Sequence, residues 1–209
     1  MKEDFAPVLH PVAIADLRPT QMTVGLREVA RKRADWRKRV EIDGPDFLGR
    51  HMIPAILGPK HVPYLIDHHH LVRALHDEGV TQVLVSIVAD LSSLKKPLFW
   101  TFMDNRNWLH PFDAEGTRQP HRTLPRKIGA MTDDPYRSLA GALRREGGCA
   151  KDPTPYSEFL WADFLRYRIG RKLVEHDFER ALAKAVDLAS GHHASYLPGW
   201  CGRSEDTNR

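Results

Sequence analysis

The sequence predicts an α+β fold: a small mixed sheet in the N-terminal half covered by a helical C-terminal half. Three observations carry that expectation. Residues 83–88 form a β-branched run, Val-Leu-Val-Ser-Ile-Val, of the kind that suits a pleated, packed surface. Two shorter apolar runs, 53–57 and 62–66, flank Gly58-Pro59 and read as strands joined by a turn. From Ser92 onward the apolar residues recur at three and four rather than two, which is helical spacing. These features divide the chain into an α+β core, 1–91, and a helical extension, 92–209, packed on it.

Residues 12–14 form a short apolar stretch ahead of Asp16-Leu-Arg-Pro and read as a strand entering a turn. From 25 to 39, Leu26, Val29, Ala30 and Trp36 mark one face of a helix whose other face is dense in Arg and Lys. Such a basic face is usually solvated, with nucleic-acid contact as the alternative. Gly44-Pro45 marks a loop. After the strand at 62–66, Asp67 stands where an N-cap would, with Leu71, Ala74 and Leu75 as the buried stripe of a helix running to Gly79. Helices are then expected over 94–108, 126–131, 136–145, 156–168 and 172–190, with polar residues 204–209 at the end.

A chain of 209 residues can bury a substantial core. Its net charge of +4 permits phosphate or nucleic-acid contact without arguing for it, because acidic residues are interspersed throughout. Cys149 and Cys201 stand far apart, so neither a thiolate zinc site nor a disulfide framework is expected. No apolar run approaches the ~20 residues of a membrane helix. The N-terminal residues also lack the apolar core of a secretory signal, so the expected location is cytoplasmic, without a membrane partner.

The informative segment is Val62-Pro-Tyr-Leu-Ile-Asp-His-His-His-Leu-Val-Arg-Ala-Leu75. An apolar strand delivers Asp67, His68, His69 and His70 to the start of a helix, where free amides and the dipole attract anions. Imidazoles beside a carboxylate bind metals or move protons. Asp67, His69 and His70 are therefore the candidate catalytic groups and the candidate ligands of a divalent metal ion. His68 and Arg73 are placed to hold an anion, Arg73 sharing a helix face with His69 and His70. A strand-to-helix junction is a place where such side chains face a cleft.

Longer motifs give this segment a context. Leu17-Arg-Pro-Thr-Gln-Met-Thr-Val-Gly25, Asp67-His-His-His70, Asp134-Pro-Tyr-Arg-Ser-Leu-Ala-Gly141 and Trp161-Ala-Asp-Phe-Leu-Arg166 stand in order. In this the chain resembles the putative ParB-like nuclease family of the ParB/sulfiredoxin superfold, over about residues 9 to 170. The resemblance implies a ParB/sulfiredoxin-like core, an anion pocket at the Asp67 turn, and Gln21 among the residues around it. It also departs from the superfold. Nucleotide-binding members similar to this fold carry Asp-Gly-His-His-Arg, where this chain has His68 and Leu71 in the Gly and Arg places. Neither the reactive Cys of sulfiredoxin nor the Gly-Glu-Arg-Arg box of ParB has a counterpart here, nor is a helix-turn-helix evident. A rival likeness, to the Asp-His-His phosphoesterases, would need further strand-end aspartates. Upstream stand Asp16, Asp35, Asp43 and Asp46, mostly in a helix or loop.

The helical half offers further candidates. His110 and Asp113 are three apart in a loop, a spacing that lets a carboxylate orient an imidazole. Arg137 and Lys151 are candidate anion holders, Lys151 ending the small-residue loop Gly147-Gly-Cys-Ala. Asp133-Asp134-Pro135 ahead of Tyr136 reads as the capping of a helix start, with Pro in its first turn. The expected function is an enzyme acting on a phosphorylated or other anionic small molecule, a nucleotide among the candidates, with a divalent metal as its expected cofactor. A nucleic-acid-binding protein or ParB-like nuclease is the alternative, and a non-catalytic adaptor the third reading.

Overall fold

The structure, a computed structural model, describes residues 9–43 and 52–202. The Gly44-Pro45 loop, Asp46 and the polar residues 204–209 lie outside the described residues. By internal contacts the chain forms two units, Met1–Val24 with Val29–Thr132, and Gly25–Glu28 with Asp133–Arg209. Residues 92–132, which the sequence grouped with the helical extension, thus fall in the first unit.

The first unit holds a five-stranded mixed sheet in the order β1-β6-β4-β5-β2. Its strands are β1 (Leu9–Ala13), β2 (Arg18–Pro19), β4 (Ile53–Gly58), β5 (Val62–Leu65) and β6 (Gln82–Asp90). β6 lies antiparallel to β1 and parallel to β4; β4 runs antiparallel to β5, which is parallel to β2. Successive side chains point to opposite faces. Ile53, Ala55, Leu65, Val83 and Val85 join one core with Leu71, Val72, Ala74 and Leu75 of helix α2 (His69–Asp77). Ile56 joins the other, with Phe99 and Met103 of helix α3 (Lys96–Asn105) and Leu109. Apolar packing on both faces explains why β4 reads as a nearly continuous apolar run, whereas β6 packs through Val83, Val85 and Ile87 and leaves Val88 exposed.

Helix α1 (Leu26–Asp43) extends beyond the expected 25–39 and presents its basic face to carboxylates. Arg33 and Arg37 both bind Glu78, at 2.5 and 2.7 Å, and Arg31 binds Asp35 at 2.7 Å. The Arg37 and Arg33 guanidiniums hold the Glu78 carboxyl below its ordinary range. Two-residue strands β3 (Thr23–Val24) and β7 (Thr132–Asp133) are too short to leave a pattern in the sequence. The helix expected over 126–131 is a single 3₁₀ turn, Ile128–Ala130. Gly129 lies so close to His76 that a Cβ would come within 2.7 Å of its ring.

The second unit contains α4 (Pro135–Arg145), α5 (Ser157–Arg166), α6 (Arg171–His176) and α7 (Phe178–Ser190). Their shared core includes Tyr136, Leu139, Leu143, Trp161, Leu165, Ile169, Ala181 and Ala185. Polar atoms of the large aromatics are met inside it: Tyr136 Oη donates to the Ile169 carbonyl at 2.7 Å and Trp161 Nε1 to that of Pro198 at 2.8 Å. The single helix expected over 172–190 is two. Asp177 ends α6 and caps α7, its carboxylate accepting from Arg180 N at 3.2 Å. At the start of α4, Asp134 accepts from Tyr136 N at 3.0 Å and Pro135 follows it, as the sequence predicts. A mixed sheet in the N-terminal half and helices in the C-terminal half thus agree with the fold class read from the sequence.

Candidate functional site

The Asp67 turn follows directly from β5. The Asp67 carboxylate accepts from His68 N at 2.6 Å, and His68 takes a left-handed conformation (φ 63°, ψ 24°) as the N-cap of α2. The expected Asp67 cap is therefore displaced by one residue. The helix starts at His69 because that side chain turns inward. His69 is 2 % exposed, and Thr20 N–H donates to its Nε2 at 3.2 Å. The Thr20 hydroxyl donates to the Leu65 carbonyl at 2.7 Å, tying the end of β5 to the same residue. Accepting a backbone N–H requires the lone pair on Nε2, which puts the ring proton on Nδ1. His69 thereby positions α2 against the segment that follows β2, rather than lining an exposed cleft mouth.

Asp67 and His68 remain exposed and His70 half-buried. The N-cap of α2 makes no side-chain hydrogen bond to the helix, and the first intrahelical bond runs from Val72 N to the His68 carbonyl. The amides of the first turn thus face the terminus, where the dipole is positive. Arg73 lies one turn on; its Nε meets Asp77 at 3.0 and 3.1 Å, and its Nη1 donates to the Met131 carbonyl at 2.7 Å.

Thr20 also brings in the 110–119 loop. Its carbonyl accepts from His110 N at 2.9 Å, and Gln21 forms a parallel bridge with His110. Gln21 is buried, its Oε1 without a hydrogen-bond partner. The His110 ring stacks on Phe112 with centroids 4.4 Å apart. Asp113 organises the loop: it accepts from Glu115 N at 3.1 Å, Thr117 N at 2.8 Å and Gln119 Nε2 at 2.6 Å. The structure therefore brings Gln21, His69 and His110 together around Thr20. Thr20 lies in the 17–25 motif, where the sequence reads a turn and the structure has the two-residue strand β2, so nothing in its spacing marks it as the residue that holds His69.

Arg137 and Lys151 belong to the second unit. Arg137 is 3 % exposed, with its guanidinium carbon 3.4 Å from the centroid of the Phe159 ring and Nη2 3.8 Å from Glu158. Its Nε and Nη1 have no hydrogen-bond partner, and burial lowers its pKa against the opposing charge of Glu158. Lys151 is exposed, next to Ala150, whose N–H donates to the Gly199 carbonyl at 2.7 Å. Nearby, Arg166 pairs with the buried Asp134 at 2.8 Å. Burial nevertheless raises the Asp134 pKa, the Arg166 charge opposing.

A divalent metal would need several such donors converging. Among the described residues, no three His, Cys, Asp or Glu side chains come together to hold one. The His69 nitrogen facing Thr20 is already an acceptor. The residues at this turn therefore do not fit a metal ion.

A family model described as "Putative ParB-like nuclease" matches residues 10–167. The crystal structure of protein Atu1540 from Agrobacterium tumefaciens superposes with a TM-score of 0.88 at 52 % sequence identity, covering 94 % of this chain and 100 % of that one. No curated protein matches the chain. Among the described residues, no helix is long and apolar enough to cross a membrane.

Proposed function

Since the chain belongs to the putative ParB-like nuclease family, whose label names a fold more firmly than a reaction, we propose that it is an enzyme acting on a phosphorylated or other anionic small molecule, bound at the start of α2. One observation carries this reading: α2 begins at a left-handed His68, with Asp67 exposed and His70 half-buried at the positive end of its dipole. The start of a helix is where the dipole and the backbone amides favour negative charge, the role such termini serve for phosphates. His70, in the first turn, is the group that would move a proton to or from the bound substrate. Asp67, exposed beside it, would orient the substrate or take a proton. His69 holds the turn through Thr20.

A nuclease or nucleic-acid-binding role is the second reading, favoured by the basic face of α1. The ion pairs of Arg31, Arg33 and Arg37 with Asp35 and Glu78 occupy part of that face, which favours the small ligand.

The test is a thermal-shift screen of nucleotides and simple phosphate esters, followed by turnover assays on whatever binds. A ligand should raise the melting temperature of the wild type and not of His70→Ala, and turnover should fall at least about a hundredfold in that variant, as for loss of a general acid or base. Binding and turnover unchanged in both His70→Ala and Asp67→Ala would refute the proposal.

A further inference from the structure

A second cleft opens in the first unit, at the other end of β5 from the α2 terminus. It has a volume of about 400 Å³ and lies between β1 and the corner joining β4 to β5. Arg18, Lys60 and His61 contribute its basic groups, Asp16 its one carboxylate, and Val12 and Pro63 are part of its apolar wall. That size lies within the usual range of small-ligand pockets, ~300–1,000 Å³, and an apolar wall with a few polar groups is their usual lining.

Two features set these basic residues apart from ordinary surface charge. Lys60 and His61 are consecutive and both left-handed, with φ of 65° and 56°. Side chains with a Cβ seldom adopt that region, and residues held there cluster at ligand-binding sites. A turn needing only to connect β4 to β5 would be easier to build with Gly or Asn. Arg18, in turn, is held in place: its Nη1 donates to the Arg126 carbonyl. A guanidinium carries five N–H donors in a planar fork, so one such bond leaves others for a ligand.

The geometry points to a binding site for a phosphate monoester in this cleft, with Arg18 and Lys60 meeting its charge, the His61 imidazole adding a donor, and the wall around Val12 and Pro63 taking a small apolar body. Arg18 and Lys60 face the single lining carboxylate of Asp16, and paired recognition of phosphate oxygens is what a guanidinium provides. The ester is either a free small molecule or the terminal phosphate of an oligonucleotide. The site is separate from the α2 terminus and does not depend on the function proposed there.

Calorimetric titration tests it, using phenyl phosphate, a short 5′-phosphorylated oligonucleotide and its unphosphorylated counterpart. The proteins are the wild type, Lys60→Asn and His70→Ala. Phenyl phosphate should bind the wild type saturably, with a component weakened about tenfold or more in Lys60→Asn and retained in His70→Ala. Lys60→Asn should melt no lower than the wild type, because Asn tolerates positive φ; lost binding then cannot be lost folding. Tighter, Lys60-dependent binding of the phosphorylated oligonucleotide alone would assign the ligand to a nucleic-acid end, whereas equal binding of phenyl phosphate would assign it to a free ester. Phosphate binding that is absent, or unchanged in Lys60→Asn, would overturn the proposal. A loss confined to His70→Ala would support the α2 site alone and overturn this one.

Discussion

His69 and His70 are neighbours in the chain with different physical surroundings. Replacing His69 by Ala removes the acceptor of a buried N–H and opens a hole beside Thr20. That should cost about 2–4 kcal/mol. His70 is half-buried, and His70→Ala should cost about 1 kcal/mol or less. Urea denaturation of the two variants checks this, and equal losses would contradict the assignment of His69 as a positioning group. The difference between these residues was not legible in the sequence. Three consecutive histidines announce a polar helix start, but which ring turns inward depends on Thr20, 49 positions away. The cysteines give a second contrast. Burial pushes the Cys149 thiol up to about 11, whereas Cys201 is exposed. The thiolate is the reactive form, so iodoacetamide at neutral pH should label Cys201 and spare Cys149 in the folded protein, as read by peptide mass. Rapid labelling of Cys149 would show that its surroundings open.

At the scale of elements, what the sequence revealed was periodicity, and what it concealed were interruptions. β4 and β5 were legible because packing on both faces demands apolar runs, and β6 because its run is rich in β-branched residues. α4 was legible because Asp134 and Pro135 announce it. The break at Asp177 was not, since Leu173, Val174, Phe178 and Ala181 keep an apparently helical rhythm across a cap. Residues of the motif 134–141 prove to serve packing. Asp134 caps α4 and pairs with Arg166, and a Cβ at Gly141 would come within 2.9 Å of Glu28. Asp134 also makes a pH prediction. Its pKa is raised by burial, the Arg166 charge opposing, so the folded state keeps its proton above the ordinary carboxylate value of ~3.9. Its contribution to stability is therefore fully present below that value and lost as pH rises through the raised pKa. The stability difference between wild type and Asp134→Asn, followed from about pH 4 upward, should move against the wild type. A difference that moves in its favour would mean that Arg166 outweighs burial.

For the whole molecule, the family was visible in the order of four motifs and the mixed sheet in its apolar runs, while the proposed site could be narrowed only to a turn. The net charge of +4 gives little field for nucleic acid, and Arg31, Arg33 and Arg37 of the α1 face are paired with carboxylates. Duplex DNA should accordingly bind more weakly than the ~10⁻⁸ M of specific readers at physiological salt. Filter binding or anisotropy across a salt series would check this, and a tight, steeply salt-dependent affinity would contradict it. The central claim is that an anionic substrate is held at the start of α2. A crystal structure of the protein soaked with a nucleoside monophosphate or another phosphate ester that binds it tests that claim most directly. The account predicts phosphoryl oxygens within hydrogen-bonding distance, about 2.7–3.2 Å, of first-turn amides of α2, with His70 alongside. A saturating ligand seated elsewhere, with that terminus left to solvent, would contradict it.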